Sequence, residues 1–415
     1  MWVGRILLLS GLLFCFGGDL GAQSTGFWKP GPEVPAELTE EQVYPAGRKF
    51  PIGGFSGDVD RDMEAGFTIV GPVYSGKEER LAEAIAYDQP IIYPIGLDMN
   101  FLKRNDMPAV QMTPEEIREA VMQQVKEVAD HDHIVWWYLV PEEMRTWRAK
   151  EMEYLDTAAA AIREADPKKR PIWMYDPNHR GASSMARIFQ VTDIVGKGAY
   201  TNYAGKQDER IWIKWGMEQQ AEAIKQGKKP GISLLVPEMF RNAEDSDAIR
   251  GWVRHDVYLG LLEGAQGVMI FSFGRRANFS HFGTYFDAYA EVAKELTEGE
   301  KLGEVFLFGE RRKEIETKVI KGPKKVEMLF EASKVTTPIK YSTLQSSDIA
   351  LGENRYLFLV NSSNEEMEVE VTGVPDNARW EVLFAEGALT GETNKGKIIQ
   401  LGPLEVAGYR FTPTP

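Results

Sequence analysis

Two glutamates end short segments with the same sequence, Leu-Val-Pro-Glu. Glu142 ends the first segment, and Glu238 ends the second, 96 residues (238 minus 142) further along the chain. Two carboxyl groups that flank one bound sugar can hydrolyse a glycosidic bond, with one as general acid and the other as nucleophile or base. We therefore interpret Glu142 and Glu238 as a candidate catalytic pair.

The chain around these two glutamates has a regular pattern. Eight short apolar segments alternate with stretches of helical periodicity. The segments cover residues 50–55, 66–74, 90–95, 134–140, 171–175, 194–196, 232–236 and 267–271. This alternation predicts an α/β fold, a (β/α)8 TIM barrel over residues 49–312, whose strands all end at one mouth. Glu142 then follows strand four and Glu238 follows strand seven.

The chain on either side of the predicted barrel has a different pattern. Short segments with a period of two, such as 355–360 and 406–411, predict a C-terminal β-sandwich over residues 313–415. A proline-rich stretch over residues 23–48 is interpreted as an N-terminal connector. A second domain is expected because single hydrophobic cores stop growing at roughly 250–300 residues.

The first 22 residues have the features of a cleavable signal peptide. They contain Arg5, an apolar run over residues 6–16 and small residues before the expected cleavage point. The mature chain is therefore predicted to be secreted or periplasmic, and the apolar run is too short for a membrane span. The only cysteine, Cys15, lies in this leader, so the mature protein is expected to have no disulfides.

The charge and the histidine spacing restrict the possible partners. A net charge of −14 argues against binding to nucleic acid or to an anionic membrane surface, because both require clustered cations. The five histidines and the single cysteine do not form a metal-binding pattern, and no phosphate-binding loop is present. The sequence therefore indicates no cofactor and no metal, and an oligosaccharide or polysaccharide is the predicted partner. It does not indicate the oligomeric state.

Residues after the other predicted strands are candidates for substrate binding, because they would share the mouth with the two glutamates. They are Asp58, Tyr93, Asp98, Asp176, Asn178, His179, Tyr200, Tyr203 and Arg275. Asp-Pro-Asn after strand five is also typical of a turn. Arg275 and Arg276 could bind an anionic group on a sugar or belong to a solvated or salt-bridged rim. Glu143 replaces Glu142 as the candidate acid if the strand register slips by one residue.

At these residues the chain resembles glycoside hydrolase clan A. Residues 137–142 look like the apolar strand of that clan that ends in the catalytic glutamate. Residues 66–70, and the order of barrel and sandwich, look like family 42 β-galactosidases and their relatives. The resemblance implies that Glu142 is the acid/base and Glu238 the nucleophile of a retaining glycosidase. It also implies that Tyr200 or Tyr203 could donate a hydrogen bond to the nucleophile.

Two departures from the clan pattern keep alternatives open. Pro141 stands where the clan usually has Asn, and strand eight presents Phe271 where a Trp is often found. The expected activity is retaining, double-displacement cleavage of a β-linked glycoside, with the carboxyl groups ~5–5.5 Å apart. The alternatives are a catalytically silent carbohydrate-binding barrel and an inverting glycosidase, which needs a separation of ~6.5–9.5 Å.

Overall fold

The computed structural model describes residues 28–34, 49–97, 111–206, 208–332, 335–384, 388–392 and 396–413. The predicted signal peptide, most of the predicted connector and Asp98 lie outside the described residues. None of the described helices is long and apolar enough to cross a membrane.

The N-terminal part of the described chain is built around a parallel sheet of seven strands in the order β1-β7-β6-β5-β4-β3-β2. The strands are β1 (Ile52–Gly54), β2 (Ile91–Gly96), β3 (Ile134–Val140), β4 (Ile172–Asp176), β5 (Ile194–Ala199), β6 (Ile232–Pro237) and β7 (Val268–Ile270). Because β1 pairs with β7, the first and last strands of the series are neighbours, as in a closed barrel.

An irregular segment around Val70 fills the gap between β1 and β2, where the sequence predicts the second strand. The Thr68 N–H donates to the carbonyl of Ile52 at 2.9 Å. On the other side, Val70 forms a parallel bridge with Ile91, and the Ile92 N–H donates to the Val70 carbonyl at 2.9 Å. The segment therefore occupies barrel position two, β3 occupies position four and β6 position seven, as predicted.

Nine helices connect these strands and follow the last one within the described chain. They are α1 (Val59–Glu64), α2 (Lys77–Ala86), α3 (Pro114–Val128), α4 (Ala149–Ala165), α5 (Ala182–Phe189), α6 (Trp212–Gly227), α7 (Ile249–Leu262), α8 (Phe282–Thr297) and α9 (Leu302–Phe308). The capping box predicted from Thr113, Pro114 and Glu116 is confirmed, since both of its reciprocal hydrogen bonds form. The alternation of strands and helices confirms the predicted TIM-barrel class.

Alternate residues of each strand face opposite sides of the barrel wall, because side chains in a strand have a period of two. On β3, Trp136 and Tyr138 belong to the barrel interior. Trp137 and Leu139 belong to the layer between strands and helices. The interior row continues to Val140, the last residue of β3, and then to Glu142 two residues later.

The C-terminal part of the described chain is antiparallel. Its sheets have the orders β15-β18-β13-β12-β8 and β16-β17-β14-β9, with β10-β11 as a separate hairpin. The strands are β8 (Glu310–Arg312), β9 (Glu316–Lys321), β10 (Lys325–Ala332), β11 (Val335–Ser342), β12 (Leu344–Leu351), β13 (Asn354–Asn361), β14 (Met367–Thr372), β15 (Ala378–Val382), β16 (Ala388–Glu392), β17 (Lys397–Leu401) and β18 (Val406–Pro413). Residues of β13 from one sheet and β14 and β17 from the other share a core, as in a sandwich.

The sandwich packs directly on the barrel through α7. Tyr258 of α7 stacks on Phe358 of β13, with ring centroids 6.1 Å apart. His255 Nε2 lies 3.0 Å from Ser362 Oγ, and the Arg311 guanidinium donates to the carbonyl of Leu262 at 2.8 Å. The two parts of the described chain therefore share a hydrophobic and polar interface.

Candidate active site

Glu238 continues the interior row of β6. Ile232, Leu234 and Val236 all belong to the barrel interior, so the period of two directs Glu238 to the same side at the strand's C-terminal end. Glu238 is 5% exposed. Its Oε1 and Oε2 each accept a hydrogen bond of 2.9 Å, from the backbone N–H groups of Asn202 and Tyr203. The two N–H groups hold both carboxyl oxygens in place.

The environment of Glu238 favours its neutral form. Burial raises the pKa of Glu238 from 4.5 to about 7, although the Tyr203 N–H, the Arg210 guanidinium and the Asn202 N–H act in the opposite direction. The loss of hydration therefore outweighs the hydrogen bonds and the nearby cation. Both protonation states are accessible near neutral pH, which suits a group that takes part in proton transfer or in nucleophilic attack.

A buried ion pair supports the loop that binds Glu238. Arg210 Nε donates to Asp256 Oδ1 at 2.9 Å, and its Nη2 donates to the other oxygen of that carboxylate. Arg210 Nη1 also donates to the Asn202 side-chain oxygen at 3.2 Å, while the Asn202 Nδ2 donates to the Tyr285 hydroxyl at 2.9 Å. These contacts fix Asn202, whose backbone N–H binds Glu238.

Glu142 lies at the end of β3 and is 6% exposed. The Tyr138 hydroxyl donates to Glu142 Oε2, and the Tyr74 hydroxyl donates to Oε1 at 3.2 Å. Tyr138 precedes Glu142 by four residues on the same interior row, whereas Tyr74 follows barrel position two. Burial raises the pKa of both tyrosines well above the usual value, so both remain hydrogen-bond donors at neutral pH.

Glu143 takes a different direction from Glu142. Its backbone is left-handed (φ 57°), and its N–H donates to the Tyr175 carbonyl at 3.1 Å. Its carbonyl accepts from Arg180 Nη2 at 3.3 Å. The charge of Glu143 raises the pKa of His179, against the larger effects of burial and Arg180, which lower it. Glu143 therefore lies toward the loop after β4, while Glu142 follows the barrel interior.

Aromatic rings surround the two strand ends. Tyr175 stacks on Tyr200 with centroids 6.3 Å apart, and Tyr200 packs against Phe271 at 5.7 Å. Tyr203 is 55% exposed and lies 5.8 Å from Phe240. Such a mouth offers apolar contact to one face of a sugar ring, with polar groups at its edge.

The predicted residues after β4 mainly stabilise the loop. Asn178 Oδ1 accepts from the Tyr200 N–H at 3.0 Å, and its Nδ2 donates to the Tyr200 carbonyl at 3.2 Å. Asp176 forms a buried ion pair with Arg180 at 2.5 Å. His179 is exposed at the rim. Asn178 therefore positions the end of β5, from which Tyr200 extends.

Three other predicted substrate-binding residues have partners elsewhere. Asp58 caps α1 by accepting from the Arg61 N–H at 3.2 Å. Tyr93 is buried in the layer facing the helices, 6.4 Å from Trp137. The Arg275 guanidinium lies over the ring of Phe282 at 5.2 Å.

Several residues of the site were not predicted from the sequence. They are Tyr74, Tyr138, Asn202, Arg210 and Phe240. The alternation of β3 contained a usable signal, because Tyr138 and Glu142 are an even number of residues apart. The contributions of Asn202 and Arg210 depend on the conformation of the loop after β5 and have no equivalent signal.

Among the described residues, no group of three or more His, Cys, Asp or Glu side chains could hold a metal ion.

No protein-family model and no curated protein matches this chain. Solved structures do match over most of its length. A glycoside hydrolase family 5 protein from Bacteroides vulgatus is 14% identical with a TM-score of 0.54, covering 91% of this chain and 93% of its own. An α-amylase from Anoxybacillus is 10% identical, with a TM-score of 0.54 and coverages of 91% and 95%. A family 42 β-galactosidase from G. stearothermophilus is 6% identical, with a TM-score of 0.52 and coverages of 87% and 98%.

At these identities the likeness concerns the fold alone. It agrees with the resemblance seen in the sequence. The chain therefore shares its overall fold, a barrel followed by a β domain, with these solved structures.

Proposed function

We propose that this protein is an exported glycoside hydrolase that cleaves a β-linked glycoside in an oligo- or polysaccharide by retaining double displacement. The observation that carries the proposal is the pair Glu142 and Glu238. Both are buried, both continue interior rows of the barrel at the C-terminal ends of positions four and seven, and both accept ordered hydrogen bonds. Two such carboxyl groups are the catalytic requirement for this reaction.

In the proposed reaction Glu238 is the nucleophile. Its ionised carboxylate attacks the anomeric carbon and forms a covalent glycosyl-enzyme intermediate, which water then hydrolyses. The N–H groups of Asn202 and Tyr203 fix the plane of the carboxylate, which lowers the entropic cost of alignment. Because burial raises the pKa of Glu238 to about 7, the reactive form becomes dominant above that pH.

Glu142 is the proposed acid/base. It protonates the leaving glycosidic oxygen in the first step and accepts a proton from water in the second. The hydroxyls of Tyr138 and Tyr74 orient its two oxygens, and they bind the anion that remains after the first proton transfer.

One observation favours the same reaction with the roles exchanged. A raised pKa is the usual property of the acid, and burial raises the pKa of Glu238, while Glu142 accepts hydrogen bonds from two hydroxyls, as a nucleophile can. Azide rescue separates the assignments, because azide takes the place of the group that is removed. With Glu238 as nucleophile, Glu238→Ala plus azide yields the α-glycosyl azide from a β-glycoside, and Glu142→Ala plus azide yields the β-azide. Exchanged roles give the reverse.

The proposed function is tested with wild type, Glu238→Ala and Glu142→Ala on a panel of β-linked glycans, including aryl β-galactosides. The control is Glu127→Ala, which removes an exposed carboxylate on α3. We expect wild type and the control to hydrolyse the same glycan, with both site variants at least 1,000-fold slower, on the order of a lost catalytic group.

The first-formed anomer, followed by NMR, reports the mechanism. A β-anomer supports retention, whereas an α-anomer supports the inverting alternative. Glycan binding without hydrolysis by wild type would show the silent carbohydrate-binding barrel instead.

A further inference from the structure

Five side chains at the mouth form a continuous strip in which arginines cover aromatic rings. The Arg241 guanidinium lies 4.8 Å from the ring of Tyr203, whose ring is 5.8 Å from Phe240. The Arg276 guanidinium lies 5.0 Å from the Phe240 ring and 5.7 Å from the Phe271 ring. These residues come from the loops after barrel positions six, seven and eight. We call them the arginine–aromatic strip.

The strip connects to both glutamates. The Tyr203 backbone N–H donates to Glu238 at 2.9 Å. At the other end, the positive charge of Arg276 acts on the Tyr74 hydroxyl, which donates to Glu142 at 3.2 Å. A sugar bound between the two glutamates would therefore lie beside the strip.

The charges of the strip are available for a ligand. Arg180 and Arg210, elsewhere around the mouth, each form a buried ion pair with an aspartate. Arg241 and Arg276 are both exposed, and neither forms an ion pair with any residue in the described ranges. The Arg276 Nη2 has a hydrogen bond to Ser272 Oγ at 3.4 Å, a long contact that leaves most of its donors free of strong acceptors. Two unneutralised cations beside the site are notable in a chain of net charge −14.

We propose that the glycan bound at this mouth carries an anionic group, a uronate carboxylate or a sulfate ester, and that Arg276 and Arg241 bind it. This rests on the proposed function in that the ligand is taken to be a glycan. The guanidinium fork matches the two oxygens of a carboxylate or sulfate, and its edge stays free when its face covers a ring. The rings of Tyr203 and Phe240 supply apolar contact to the sugar. Ring contact also restricts the guanidinium, so less side-chain entropy is lost on binding.

The test measures binding without turnover, in the Glu142→Gln background, on an array of β-linked glycans in neutral, uronate-containing and sulfated forms. Arg276→Gln and Arg241→Gln are added to this background. The matched control is Arg379→Gln, which removes an equal charge from an exposed site on β15 in the sandwich. Array glycans with the same sugar chain that carry either a uronate or a sulfate distinguish the two sources of negative charge.

We expect preferential binding to anionic glycans, weakened by salt, with affinity reduced about tenfold or more by Arg276→Gln and unchanged by Arg379→Gln. Preference for the neutral members, absence of binding to every anionic member, or equal affinity of the Arg276 variant and the control would overturn the inference. Different results would reject the anionic ligand and the proposed hydrolase activity. Hydrolysis of neutral glycans alone rejects the anionic ligand, whereas Arg276-dependent binding of an anionic glycan that wild type does not cleave rejects the hydrolase.

Discussion

From the raised pKa of Glu238 we predict how the free energy of unfolding depends on pH. This prediction can be tested without knowing the substrate. In the unfolded chain this carboxyl has its ordinary pKa of 4.5, whereas burial raises it to about 7 in the fold. Between these values the folded state binds more protons than the unfolded state, so the free energy of unfolding falls as pH rises. One pKa unit corresponds to 1.36 kcal/mol, so the full effect is about 3 kcal/mol, absent below pH 4.5 and complete above about 7.

Glu238→Gln removes this titration. The neutral amide also turns its NH2 toward one of the two N–H groups of Asn202 and Tyr203, and that mismatch costs about 1–3 kcal/mol at every pH. We therefore expect the variant to be less stable than wild type at pH 4.5. The difference in unfolding free energy should shift in favour of the variant by about 3 kcal/mol between pH 4.5 and pH 8.

The assay is urea unfolding followed by tryptophan fluorescence at several pH values, comparing wild type, Glu238→Gln and the exposed control Glu127→Gln. The control should show a difference from wild type that varies little with pH, because its carboxylate is exposed. If the Glu238→Gln difference is also flat, the two N–H groups and Arg210 offset the effect of burial on the pKa of Glu238, and if it moves in favour of wild type as pH rises, they outweigh it. In either case the pKa of Glu238 is not raised in the folded protein, and it no longer favours exchanged catalytic roles.

Three further predictions concern activity and the domain interface. With Glu238 as nucleophile, kcat/KM should rise with pH through about 7 in a pH–rate profile, while a fall through the same range would support Glu238 as the acid. Tyr138→Phe should lower kcat/KM about 10- to 100-fold, since it removes a charge-assisted hydrogen bond to Glu142, with an unchanged circular dichroism spectrum; full activity would show that this bond has no role in the reaction. Phe358→Ala should destabilise the protein by about 3–5 kcal/mol in calorimetry, because it empties a fully buried position between sandwich and α7; a loss below 1 kcal/mol would contradict that packing.

The order of the elements and the ranks of the two glutamates could be predicted from local patterns in the chain. Local patterns are sufficient for this, because a buried parallel strand is a short apolar run and a helix start such as Thr113 carries its own capping signal. Since all strands of a barrel end at one mouth, Glu142 and Glu238 could be assigned to the same end of the molecule from their positions in the series alone.

The other residues of the site could not be predicted in this way, because long-range contacts bring them to the two glutamates. The N–H groups that bind Glu238 come from a loop 35 and 36 residues earlier, and the Tyr74 hydroxyl reaches Glu142 from 68 residues away. Such contacts depend on how the loops cross the mouth, and local spacing does not encode that. The same reason separates Arg276, which lies over Phe240 beside the site, from the neighbouring Arg275, which turns to Phe282. Periodicity fixes the face of a residue within a strand, but beyond the strand end packing alone decides where each side chain lies.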